Sequence, residues 1–201
     1  MDIEKLGEIS DAVIRELHRW DAEHSCIKGA ALLTQVMHRM GHSAAYLLTV
    51  GVTIANPAHK QWVDEHGNPH DDLSWKGYME AGGFITQIGK GAGSTEQLPP
   101  DQWEGHLAVA LPDAIQDRPI LLDPTIIQAN KLGKGINLPP LLWMVSDEFL
   151  AGHCPIARFV NGCYVRYEAY PDDHSYNDHG DVMAIIGLDE AVSHVVGRLR
   201  R

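Results

Sequence analysis

The chain has 201 residues, 44% of them hydrophobic and 21% charged, which excludes a disordered polypeptide and fits one domain. Sixteen Lys+Arg against 27 Asp+Glu leave a formal net charge of -11, which disfavours a nucleic-acid backbone or an anionic membrane surface as partner. No stretch approaches the ~20 apolar residues of a membrane helix, and the acidic residues between Asp2 and Glu16 are unlike a secretory signal, so a cytoplasmic location is expected.

Ile3, Leu6, Ile9, Val13, Leu17 and Trp20 recur at steps of three or four and predict an amphipathic helix over 3–20, its other face charged. After the polar run 21–25, a second helix begins near Cys26 and carries Ala30, Ala31, Leu33, Val36, Met37 and Met40 to a cap at Gly41. It is apolar on most of its circumference and is expected to be central and buried. Ala44 to Ile54, rich in Tyr, Val, Thr and Ile, predicts a core strand.

From 56 to 102 the chain is polar and punctuated by Pro57, Gly67-Asn68-Pro69, Gly82-Gly83 and Pro99-Pro100, with Trp75, Tyr78, Phe84 and Ile88 predicting short packed elements inside it. His106–Leu111, the polar turn 112–118 and Pro119–Leu122 predict a hairpin. Tyr164–Tyr170 alternates as a strand. Leu188, Val192, Val195, Val196 and Leu199 form a last helix, with Asp189 and Glu190 at its start and Arg198, Arg200 and Arg201 at its end, as the helix dipole favours. Helices followed by mainly antiparallel strands make a single α+β domain over 1–201.

Three cysteines, an odd and low number, imply no disulfide framework. Only Cys154 and Cys163 are candidates to pair, which leaves Cys26. At a helix N-terminus its thiol meets unpaired N–H groups and the positive dipole end, which favour a thiolate. His106 opens one strand of the hairpin and Asp123 closes the other, and the midpoint of their positions falls in the turn, so a regular ladder sets them side by side. A carboxylate beside an imidazole fixes its tautomer and stabilises its cation, freeing the other ring nitrogen to exchange a proton with a thiol. Cys26, His106 and Asp123 thus form a candidate triad. Taken singly, each has a plainer reading: a buried thiol, a strand-end histidine and an Asp-Pro turn former.

Cys26 at the start of a buried helix that ends at Gly41, the strand 44–54, His106-Leu107-Ala108-Val109, and Leu121-Leu122-Asp123-Pro124-Thr125 together resemble the transglutaminase-like superfamily. The resemblance covers about residues 20–54 and 103–127. It implies a papain-like α+β fold, with the cysteine's central helix packed on a mainly antiparallel sheet and histidine and acid on adjacent strands. The family's frequent aromatic residue two after the histidine is here Ala108, and its Gly or Gln before the nucleophile is here His24-Ser25. The long separation of Cys26 from His106 makes residues 55–102 an insertion or lid over the site, with 89–93 expected to be its mobile part.

The resemblance further implies a cysteine enzyme acting on an amide, peptide or acyl carbonyl through a thioester, with hydrolysis favoured, no cofactor, and a polypeptide or a small acyl or amide compound as substrate. The alternatives are an acyltransferase of the transglutaminase or arylamine N-acetyltransferase kind, the latter without its Arg-Gly-Gly-x-Cys lead-in, and a binding module that kept the fold. The N–H of Cys26 is the expected first oxyanion donor, with Trp20, His24 or the insertion as sources of a second. Trp103 is a candidate wall of the site. The His/Asp-rich runs at 66–72 and 172–181 lack a regular ligand spacing and read as solvated loops, so no metal is expected. Gly89-Lys90-Gly91-Ala92-Gly93-Ser94 has the glycines of a phosphate loop without its Gly-Lys-Ser/Thr ending.

Overall fold

The first apolar stripe folds as helix α1, Ile3–Arg19, whose N-cap Asp2 accepts the Lys5 N–H at 2.7 Å. The computed structural model describes residues 2–20, 25–90, 105–115, 118–178 and 187–200. Leu6, Ile9, Val13 and Leu17 are buried. Glu16 is buried with them, contrary to a uniformly solvated charged face, and is held by Arg19 at 3.1 Å and by His194 Nδ1 at 2.5 Å.

Helix α2, Cys26–Arg39, starts at the N-cap Ser25, whose hydroxyl accepts the Lys28 N–H at 3.2 Å, and its last turn is followed by Gly41 at φ +97°. Ile27, Ala30, Leu32, Leu33, Val36 and Met37 are all buried, so α2 is the central helix its composition predicts. It packs against both α1 and the last helix, which we number α6, Leu188–Leu199, and lies against the sheet.

Among the described residues seven strands form one sheet, every pair antiparallel: β1 (Tyr46–Ala55), β2 (Ile85–Gly89), β3 (His106–Ile115), β4 (Arg118–Asp123), β5 (Leu141–Met144), β6 (Ile156–Val160) and β7 (Cys163–Tyr170). The order is β5-β4-β3-β1-β7-β6. Strands β3 and β2 share one edge of β1 end to end, β3 along Tyr46–Val50 and β2 along Gly51–Ala55.

Side-chain alternation sends Leu107, Val109, Ile120 and Leu122 to the helical layer. Leu48, Val50, Val52, Ile54, Ala108, Leu121, Val165 and Tyr167 go to a second core on the other face. Arg158 on β6 donates to the Met144 carbonyl of β5 at 2.7 Å and lies over the Trp143 ring, so the two ends of the strand order meet and the sheet curls around this inner core.

The insertion contains α3 (Pro57–His66) and α4 (Asp72–Glu80) ahead of β2. Pro57 takes the first helical turn, where a missing N–H costs nothing. Asn56 ties its ends together: its amide donates to Gly82 and Lys134 carbonyls at 2.8 and 3.0 Å and accepts the Phe84 N–H at 3.1 Å. Helix α3 packs on β7, and β2 runs along β1 to end beside His106. Residues 91–102 of the expected lid, including the Gly-rich positions 91–93, lie outside the described residues. A short helix α5, Asp147–Leu150, closes the inner core through Phe149 and Leu150. Among the described residues no helix is long and apolar enough to cross a membrane.

Candidate active site

The Ser25 cap sets Cys26 as the first residue of α2, where helix geometry leaves the N–H groups of Cys26 and Ile27 without intrahelical acceptors. Two glycines bring this helix end and the strands together. Gly29, one turn into α2, sits against the Thr125 methyl so closely that any Cβ would overlap it, which lets α2 lie on the turn after β4. Gly89, at φ +80°, ends β2 where a Cβ would come 2.7 Å from that of His106 and closer still to the Val50 carbonyl.

His106 and Asp123 meet, though not as a regular hairpin would place them. The ladder pairs Val109 with Leu122 and Ala110 with Leu121, and an irregularity between Leu111 and Ile115 shifts the register from that of a symmetric turn. Asp123 therefore lies opposite Ala108 when the register is extended, diagonal to His106 on the same face. The diagonal is short enough: His106 Nε2 donates to Asp123 Oδ2 at 2.7 Å, with side chains 1% and 0% exposed.

The carboxylate is saturated. Oδ2 also accepts the Tyr167 hydroxyl at 2.7 Å, and Oδ1 accepts the Thr125 N–H at 3.1 Å and its hydroxyl at 3.2 Å. Four donors on one buried carboxylate stabilise its charge and fix its orientation. Tyr167, fully buried beside that charge, has its hydroxyl's pKa raised well above the ordinary value, first by burial and then by Asp123. For His106, burial alone pushes the pKa down. The Asp123 carboxylate, with a smaller contribution from the neighbouring Cys26, reverses this and raises it to about 10.

Alternation directs His106 to the inner face while α2 lies on the outer one. The two meet at the rim of the sheet because β3 begins at His106, with Cys26 Sγ 3.9 Å from the carbonyl of the preceding Gly105. The sulfur is near enough to favour the protonated ring. Nδ1 itself, however, faces the Gln128 amide at 3.0 Å, from the short 3-10 turn Ile126–Ala129. The structure thus brings Cys26, His106 and Asp123 together and adds Thr125, Gln128 and Tyr167. Of these three, Thr125 stood in the Asp-Pro-Thr ending and Tyr167 in an alternating strand, while nothing in the sequence singled out Gln128.

Trp20 is half-buried and packs against the helical core; His24 and Trp103 lie outside the described residues. The three cysteines are free, with Cys154 exposed and Cys163 buried. Among the described residues no group of three or more His, Cys, Asp or Glu is placed to hold a metal ion. His66 stacks on Trp62, Asp71 caps α4 by accepting the Ser74 N–H at 2.8 Å, and Asp173 is ion-paired to Lys90 at 2.6 Å. Compared with family models, curated proteins and solved structures, the chain matches none.

Proposed function

We propose that the chain is a cysteine hydrolase of the transglutaminase-like, papain-like kind, cleaving an amide or acyl bond through a thioester on Cys26. The observation that carries this reading is the buried His106–Asp123 hydrogen bond at 2.7 Å beside a thiol at the first turn of a central helix. The order of elements agrees with it: cysteine helix, then histidine and acid strands of one curled antiparallel sheet.

In this mechanism Asp123, held by four donors, keeps Nε2–H of His106 in place and favours the imidazolium. The Cys26 sulfur, having lost its proton to Nδ1, adds to the carbonyl carbon as the carbon–oxygen π pair moves to oxygen. The N–H of Cys26, which has no intrahelical acceptor, stabilises that oxyanion in this reading. Collapse expels the amine or alcohol, which takes the Nδ1 proton. Water then adds to the thioester, giving its proton to Nδ1. The second collapse releases the acid, and the sulfur leaves as thiolate. An amine in place of water makes the same sequence an acyl transfer.

The test is intact-mass measurement after exposure to an activated aryl ester. The expected result is one acyl addition, located on Cys26, released by hydroxylamine, absent in Cys26→Ala and strongly slowed in His106→Ala. Acylation elsewhere, or acylation of Cys26 that ignores His106, would refute the proposal and leave the binding module as the better reading.

A further inference from the structure

The nitrogen that must exchange a proton with Cys26 has another partner. Nε2 of His106 is committed to Asp123, which is itself fixed by Tyr167 and Thr125, so only Nδ1 is left for the thiol. Nδ1 lies 3.0 Å from the Gln128 amide, and the Cys26 sulfur, 3.9 Å from the Gly105 carbonyl, is also within hydrogen-bonding reach of the ring, so the two side chains compete for it. The backbone of Gln128 is anchored, its N–H donating to the Thr125 carbonyl at 3.0 Å, but its half-buried side chain turns about three bonds.

A carboxamide suits either state of the ring, because its NH2 donates to a neutral Nδ1 and, turned over, its oxygen accepts from a protonated one. We propose that Gln128 is a positioning residue that latches the resting site: its amide competes with Cys26 for Nδ1 of His106 and must turn aside before sulfur and ring can exchange the proton. This rests on the reading of Cys26 and His106 as nucleophile and proton carrier. The ring does not need Gln128 for its orientation, since Asp123 and near-complete burial already supply it. Among the described residues, the charged or titratable side chains facing the ring are Asp123 from β4 and Cys26 from α2. Tyr167 from β7 acts through Asp123, and β2 presents only the backbone at Gly89.

Two substitutions of the full chain move the latch in opposite directions. Gln128→Leu removes the competitor at similar volume and frees the Nδ1 proton for sulfur. Gln128→Glu leaves an acceptor-only group that holds it. The readout is the iodoacetamide alkylation rate of Cys26, followed by peptide mass spectrometry across the pH range where ordinary thiols are protonated.

The expected result is an increase of about tenfold for Gln128→Leu, the equivalent of one hydrogen bond, with the rise in rate displaced to lower pH, and a decrease for Gln128→Glu. Gln128→Met serves as the neutral variant should Gln128→Leu lose its cooperative melt. A merely structural role would slow the reaction in both variants or change neither, and either outcome overturns the latch. His106→Ala separates the two levels. If it leaves the Cys26 rate unchanged, the nucleophile reading itself fails. If it slows Cys26 while Gln128→Leu and Gln128→Met give no acceleration, the latch alone fails.

Discussion

Asp123→Asn is expected to destabilise the chain in a pH-dependent way that isolates His106. Four donors converge on this carboxylate: His106 Nε2–H, the Tyr167 hydroxyl, and the N–H and hydroxyl of Thr125. Asparagine supplies one acceptor oxygen and a donor NH2. If the oxygen faces His106, the NH2 opposes the Thr125 N–H; reversed, it opposes Nε2–H and drives the ring to the other tautomer.

Removing one partner of a buried pair in this way costs about 3–5 kcal/mol near neutral pH. In the native protein the pKa of His106 is raised from 6.5 to about 10, so its stabilisation is complete below the unfolded value and is lost as pH rises through the folded one. Between those limits the folded state holds one more proton, and stability falls by about 1.4 kcal/mol per pH unit from this group. Without the carboxylate, burial pulls the ring's pKa below its ordinary value, and that slope disappears. The difference in unfolding free energy between native and Asp123→Asn protein, from urea titrations, should therefore shrink by about 2 kcal/mol between roughly pH 7.5 and 9. A difference that stays constant with pH would refute the electrostatic account of the pair.

Two further outcomes follow from the same contacts. Tyr167→Phe keeps the buried ring but removes the hydroxyl on Asp123 Oδ2, and should cost about 1.5–3 kcal/mol by urea unfolding while leaving acylation of Cys26 measurable; a neutral substitution would mean the carboxylate does not need its fourth donor. Gly29→Ala should destabilise the protein although alanine favours helix by about 1 kcal/mol, because its Cβ overlaps the Thr125 methyl. Adding Thr125→Ser, which deletes that methyl and keeps the hydroxyl, should restore most of the loss, and an additive double-mutant cycle would contradict the contact.

Local rules made much of this molecule readable. The three- and four-residue spacing gave α1, α2 and α6 nearly to their ends, and β-rich composition gave β1 and β7 within two residues. Other features depend on the folded whole. Strand β6 is an exposed edge whose residues show no alternation, and α3 and α4 are short helices held by Asn56, an Asp71 cap and contacts to β7. The diagonal of His106 and Asp123 depends on a ladder irregularity past Leu111 that a symmetric hairpin does not anticipate. Tyr167 reaches Asp123 from β7, two strands beyond β3, because the sheet curls. Gln128 reaches His106 from a turn with no pattern of its own. Glu16 is buried by a partner, His194, far along the chain.

The most direct test of Cys26 as an activated nucleophile is the order in which the three cysteines react with iodoacetamide at about pH 6–7, where an ordinary thiol is mostly protonated. Access alone would place exposed Cys154 first, half-buried Cys26 second and buried Cys163 last. The account predicts that Cys26 reacts first despite its lower exposure, and that it loses this lead in His106→Ala and part of it in Asp123→Asn. Labelling that follows exposure, with Cys154 ahead of Cys26, or a lead of Cys26 that survives His106→Ala in a folded protein, would contradict it.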